Sequence, residues 1–149
     1  QVESTIFRVH SFFLDRESEG SYRFYTPGVN RVYLRGTNCL EFASLMKFFY
    51  YGMLTGTTFT LSEWTAILSI STRYEMTVIR LRAIPEVYAH RHNIDPVEWI
   101  IISEKNDVVE WLLEARTALC SREAPVTHEE SRRLGHRNAS LVAEAREAI

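Results

Sequence analysis

The sequence predicts an α+β fold that is mostly helical, with a small β-sheet at the N-terminal side and a helical C-terminal extension. Two observations carry this prediction. Near the front, two short segments alternate apolar and polar residues, as strands do. Behind them, a capping residue is followed three positions later by glutamate and then by an apolar stripe, which is typical of a helix start. The pairs are Asn38 with Glu41, Thr60 with Glu63, Asp95 with Glu98, Asp107 with Glu110, and Thr127 with Glu130.

The two predicted strands are residues 5–10 and residues 31–35, the second of which is closed by Gly36. Both are rich in β-branched and aromatic side chains, which strands favour. Two strands do not make a stable sheet by themselves, because three or more are usually needed. We therefore expect another strand from residues 50–59 or from chain upstream of Gln1.

Helices are predicted from the caps and from apolar residues that recur with a period of 3.6. A short helix is expected to begin over residues 11–14, with its phenylalanines buried, and another is expected within residues 74–82. Pro85 should end that helix near Ala83 or kink it, because proline has no amide hydrogen. Gly135 should end the helix that Thr127 caps. The predicted buried stripes of the second and third helices are Phe42, Leu45, Met46 and Phe49, and Trp64, Ile67, Leu68 and Ser71.

Composition excludes several classes of function. The chain has 149 residues and a formal net charge of −2, without the basic stripe that a nucleic-acid-binding protein shows. Its longest apolar stretch, residues 48–54, is too short to cross a bilayer, so we expect no membrane partner. Cys39 and Cys120 lack the spacing of a metal site. We expect both to be reduced thiols, in an intracellular protein of the cytoplasm or nucleus.

The chain has no motif that predicts catalysis. The GxSxG, HExxH, P-loop and dinucleotide-binding patterns are all missing. His90 and His92 supply only two imidazoles, whereas structural zinc needs four ligands and catalytic zinc three. His10 is expected at the edge of the core rather than as a general base. We therefore predict that the protein is not an enzyme and has no catalytic residue, cofactor or metal; an enzyme with a site built from scattered residues remains the alternative.

Two aromatic runs indicate an association surface instead. Residues 12–14 read Phe-Phe-Leu and residues 48–51 read Phe-Phe-Tyr-Tyr, more aromatic side chains in a row than one helix face can bury. Exposed apolar patches mark sites of association, and aromatic anchors dominate interface energies. The alternative is that both faces of these helices are buried in the core.

Several segments together resemble a known family in their order and spacing. They are residues 6–13, 47–50, 59–64, 74–76, 95–99, 106–112, 121–127 and 133–135. The chain resembles the BTB/POZ domain and, more narrowly, the BTB-containing group of mushroom-forming fungi. The resemblance implies a BTB/POZ-like core over residues 1–89. It also implies a helical extension over residues 90–149 that packs on this core.

The resemblance further implies a non-catalytic protein–protein interaction domain that forms homodimers and recruits partners. In that family the dimer forms through the first helix and the N-terminal strand. The alternative is a monomeric adaptor for a cullin-type ubiquitin ligase or a transcription regulator. Cullin adaptors carry a contact in which an apolar residue lies two positions before a glutamate. This pattern has no counterpart here, because Asp15 lies two positions before Glu17, and Glu17 lies two positions before Glu19. The resemblance assigns the dimer interface of this chain to Gln1, Val2, Glu3, Phe12, Phe13 and Leu14. The aromatic run over residues 48–51 adds Tyr51 as a further candidate interface residue.

Overall fold

The computed structural model describes residues 1–18, 24, 27–52, 54 and 56–147. Within them the chain forms seven α-helices, joined in two places by short 3-10 turns at Arg91–Asn93 and Val109–Trp111. The helices are α1 (Ser11–Glu17), α2 (Cys39–Tyr51), α3 (Leu61–Arg73), α4 (Thr77–Ala89), α5 (Pro96–Lys105), α6 (Leu112–Cys120) and α7 (His128–Glu147).

The chain divides into two compact units, Gln1–His90 and Arg91–Ile149. The first unit contains α1 to α4, and α3 lies between α2 and α4 and packs against both. The second contains α5 to α7, which pack against one another. The packing of residues 90–149 on a BTB/POZ-like core stays a prediction.

The predicted α+β fold with a small sheet is wrong, because the structure is all-helical. Helix accounts for 66% of the described residues, which contain no strand. Residues 5–10 and 31–35 form no strand, and Arg35 already lies in a turn. The described part contains one isolated bridge, between Val2 and Thr5. In the remaining predicted strand region, residues 50–59, the chain continues α2 to Tyr51 and has no strand where it is described.

The hydrogen bonds of the N-terminal segment explain why no sheet forms. The amino group of Gln1 donates to the carbonyl of Val32, and the amide of Leu34 donates to the carbonyl of Gln1 at 3.0 Å. The first residue of the chain, rather than residues 5–10, therefore lies beside the second predicted strand. The alternation within residues 5–10 instead places Phe7 against Phe42 of α2, with ring centres 4.8 Å apart.

Capping boxes begin α2 and α3 as predicted. Asn38 Oδ1 accepts a hydrogen bond from the amide of Glu41 at 2.8 Å, and the Glu41 carboxylate accepts from the amide of Asn38 at 3.1 Å. Thr60 and Glu63 make the same reciprocal pair at the start of α3. All four residues of the predicted α3 stripe are buried, as are the first three of the α2 stripe, whereas Phe49 is half-buried.

A buried polar network joins the start of α2 to the end of α3. Glu41 is only 3% exposed, and its carboxylate accepts hydrogen bonds from the Arg73 guanidinium at 2.8 and 3.3 Å. Arg73 also donates to the hydroxyl of Thr37 at 3.3 Å. That hydroxyl lies 2.9 Å from the hydroxyl of Tyr74. Pairing of this kind is required because an uncompensated carboxylate is costly in a low-dielectric interior.

The helix does not end near Ala83, because α4 continues through Pro85 to Ala89; the alternative, a kink at Pro85, stays a prediction. Proline removes one backbone hydrogen bond, to the carbonyl four residues earlier, which belongs to Leu81. Leu81 is 62% exposed and Pro85 is also exposed. Water can therefore satisfy the freed carbonyl, and the apolar residues Ile79, Ala83 and Val87 keep the opposite face buried.

Two of the three caps predicted for the second unit form. Asp95 accepts from the amide of Val97 at 2.9 Å at the start of α5, and Thr127 and Glu130 make a reciprocal pair at the start of α7. Asp107 does not begin a helix, because its φ of 53° is left-handed and the following 3-10 turn starts at Val109. A helix cap requires an extended backbone instead.

Two further features fix α7. Gly135 interrupts it as predicted, with φ 75° and ψ 162°, a conformation that glycine adopts at little cost. Arg122 donates two hydrogen bonds to the Glu130 carboxylate, at 2.7 and 2.9 Å. This pairing, together with the bonds from Thr127, lowers the pKa of Glu130 to about 2.

Candidate association surface

Partly exposed aromatic rings cluster between α1 and the C-terminal end of α2. Phe13 stacks on Phe49, with ring centres 5.4 Å apart and an interplanar angle of 15°. It also meets Tyr50 edge-on at 5.3 Å. Phe12 meets Phe13 at 5.9 Å, and Tyr51 follows Tyr50 at the last position of α2. We call the five residues His10, Phe12, Phe13, Tyr50 and Tyr51 the aromatic surface.

Helix α1 buries one face in the core and exposes the other to solvent. Leu14 is 5% exposed and anchors the helix in the core. Phe12 and Arg16, four positions apart, are the only exposed residues of α1, because residues at this spacing share one face of a helix. The exposed fraction of Phe12 is 64%. One face of α1 therefore holds the fold together and the other presents a phenylalanine and an arginine.

His10 connects the residue before α1 to α2. Its backbone amide donates to Tyr50 Oη at 3.2 Å, and its ring Nδ1 lies 2.8 Å from the same oxygen. The imidazole also contacts the ring of Phe13, with centres 6.4 Å apart. His10 is exposed, so its predicted position at the edge of the core is wrong. These contacts hold the Tyr50 ring in a fixed orientation beside Phe13.

Arg16 adds charge to the aromatic surface. Its guanidinium carbon lies 5.4 Å from the ring centre of Phe12 and 5.7 Å from that of Phe13, within the range of cation–π attraction. Its Nε donates to Glu17 at 2.5 Å, and its side chain is 51% exposed. Sequence reasoning missed Arg16; its spacing of four residues from Phe12 was the signal that could have found it.

The structure brings together two of the candidate interface residues, Phe12 and Phe13. Phe12 is 64% exposed, and Phe13 is half-buried between the ring of Phe12 and α2. Tyr51, 56% exposed, follows Tyr50 at the end of α2. Leu14 lies on the opposite face of α1 and is buried. An interface at this place would therefore use Phe12, Phe13 and Tyr51. Leu14 would not take part in it, because its side chain anchors α1 in the core.

The three N-terminal candidates lie elsewhere in the first unit. Glu3 accepts from the amide of Cys39, the first residue of α2, at 3.1 Å. Val2 is 1% exposed and packs in the core, and Gln1 is half-buried. Because α2 has 13 residues and rises about 1.5 Å per residue, this end of the helix is roughly 18 Å from Tyr51. Gln1, Val2 and Glu3 are therefore not part of the aromatic surface.

The described residues contain neither a metal-binding cluster nor a membrane-spanning helix. No group of three or more His, Cys, Asp or Glu side chains within them could hold a metal ion. In the same part of the chain, no helix combines the length and the apolar character needed to cross a membrane. The aromatic surface is thus the feature from which we infer a function.

Comparison with known proteins provides no family for this chain. No family model, curated protein or solved structure matches it. The resemblance to the BTB/POZ domain therefore stays a prediction. We infer function from the geometry of the aromatic surface and from its chemistry.

Proposed function

We propose that this chain is a non-catalytic protein–protein interaction domain that forms a homodimer through the aromatic surface. The observation that supports this proposal most strongly is the 64% exposure of Phe12 beside the ring of Phe13. A single exposed apolar residue is ordinary on a protein surface. A contiguous group of exposed aromatic rings is typical of an association site.

Covering the aromatic surface would be energetically favourable. Complete burial of a phenylalanine side chain contributes about 1.5–3 kcal/mol, and more than half of Phe12 remains to be covered. We estimate a gain of about 1–2 kcal/mol for Phe12 in each copy. Tyr50 and Tyr51 would add apolar ring area, and each keeps a hydroxyl that can remain in contact with water.

A second copy of the chain suits this surface better than a strongly charged partner. Among the described residues, α1 places one charge of each sign beside this surface, because Arg16 is paired with Glu17. A two-fold interface places the same patch on both sides, so a patch with both signs can complement itself. Because the net charge is only −2, electrostatic repulsion between two copies is weak.

We further propose that the protein acts in a reducing compartment, the cytoplasm or the nucleus. Cys39 and Cys120 are both free cysteines in the structure. Thiols persist in reducing compartments, whereas secreted proteins of this size often pair their cysteines.

The mass of the wild-type protein in solution tests the proposed function. Light scattering on a size-exclusion column, over a concentration series, should give a mass near twice 17.4 kDa that falls on dilution. Burial of aromatic anchors on both sides is the physical reason for this result. A mass of 17.4 kDa at every concentration up to millimolar would overturn the proposal.

A further inference from the structure

The exposed face of α1 carries two residues whose chemistries complement each other. Phe12 offers the face of an aromatic ring, and Arg16 offers a planar cation that binds such faces. Aromatic residues and arginine are also the types most enriched at interface centres. Both halves of a cation–π contact are therefore present on one short helix face.

The contact inside one copy leaves both groups available. The Arg16 guanidinium lies 5.4 Å from the Phe12 ring centre, near the outer limit of about 6 Å for this interaction. Arg16 is 51% exposed in its side chain and Phe12 64% exposed overall. The hydrogen bond from Arg16 Nε to Glu17 holds the guanidinium in place on α1. Among the described residues, the bond to Glu17 uses only Nε, so the terminal nitrogens of the guanidinium can face a partner.

We propose that α1 pairs antiparallel with α1 of a second copy, so that Arg16 of each copy stacks on Phe12 of the other. This inference rests on the proposed function. Phe12 and Arg16 each lie two positions from Leu14. A two-fold axis at the level of Leu14 therefore places residue 12 opposite residue 16 twice, which gives two identical contacts.

A parallel arrangement would not have this property. It would place Arg16 opposite Arg16, and like charges at short distance repel each other. The antiparallel pair forms only the centre of the interface, because α1 has seven residues and is about 10 Å long. A stable interface buries roughly 800 Å² on each side. Tyr50, which contacts Phe13, and Tyr51, the last residue of α2, would supply the flanking area.

An exchange of the two residues tests the antiparallel pairing. The Phe12→Arg chain places arginine opposite arginine, so we expect its dimer to dissociate at least about 30-fold more readily than wild type. The double variant Phe12→Arg/Arg16→Phe restores an arginine opposite a phenylalanine at both positions. We expect it to dimerise within about 10-fold of wild type.

Mixing two single variants gives an independent test of the pairing. The Phe12→Arg chain carries arginine at both positions 12 and 16, and the Arg16→Phe chain carries phenylalanine at both positions. A one-to-one mixture should form a heterodimer in preference to either homodimer, because only the mixture places arginine opposite phenylalanine at both positions. Native mass spectrometry distinguishes the three species by mass, and circular dichroism checks that each variant is folded.

The outcomes separate this inference from the proposed function. A wild-type monomer would overturn both. A wild-type dimer whose exchanged double variant is folded but as weak as Phe12→Arg would overturn the antiparallel pairing alone. The same conclusion would follow if the mixture showed no preference for the heterodimer. Should the double variant fail to fold, the mixture of single variants decides.

Discussion

Phe12→Asp is expected to convert the dimer into a monomer while the helical fold is retained. The substitution places a charged carboxylate where an aromatic anchor is covered, and removal of such an anchor costs roughly 2–4 kcal/mol. The dissociation constant should therefore rise by about 100-fold. Because Phe12 is 64% exposed, the core loses little packing. Sedimentation equilibrium measures the dissociation constant, and circular dichroism the helix content.

Two variants serve as controls for this prediction. Leu113→Asp changes an exposed residue of α6 that does not belong to the aromatic surface, so it should leave the dimer intact. Leu14→Asp places a carboxylate at a position that is 5% exposed, so it should unfold the first unit. Equal dissociation by Leu113→Asp and Phe12→Asp, or a Phe12→Asp chain that still dimerises like wild type, would contradict the assignment of the interface.

Arg73→Leu is expected to lower the free energy of unfolding of the first unit by about 3 kcal/mol. The reason is that Glu41, 3% exposed, would lose the guanidinium that compensates its charge. Arg82→Leu is the matched control, because it breaks an exposed pair with Glu86 on α4 and should cost about 0.5 kcal/mol or less. Urea unfolding, followed by circular dichroism, measures both changes.

A second variant distinguishes the buried charge from lost packing. In Glu41→Gln/Arg73→Leu the side chain at position 41 is neutral, and its carbonyl can still accept from the amide of Asn38. We expect this double variant to recover most of the stability that Arg73→Leu loses, because breaking one half of a buried pair costs more than removing both charges. If Arg73→Leu costs no more than Arg82→Leu, the network does not stabilise the fold.

The helices could be predicted where their signals are local. The boxes formed by Asn38 with Glu41 and by Thr60 with Glu63 depend on residues three positions apart, which the sequence shows directly. The sheet could not be predicted in this way, because a strand needs a partner that may lie anywhere in the chain. Residues 5–10 have the residue pattern of a strand. The backbone hydrogen bonds of Val32 and Leu34, however, are made with Gln1 and not with residues 5–10.

The association surface could be predicted only in part. An aromatic run fits both a buried and an exposed helix, so the sequence could not decide between the two for Phe12 and Tyr51. The decision depends on the face by which α1 packs, and burial of Leu14 settles it in favour of an exposed Phe12. The sequence did not predict Arg16 as an interface residue, because charged residues on short helices are common and are usually only solvated.

Backbone hydrogen exchange as a function of protein concentration tests the location of the interface most directly. As the concentration rises through the dimerisation range, exchange should slow in α1 and at the C-terminal end of α2, where Tyr50 and Tyr51 lie. Exchange in α6 should not change, because the proposed interface uses no residue of that helix. Protection confined to α6, or exchange in α1 that is independent of concentration, would show that the aromatic surface is not where two copies meet.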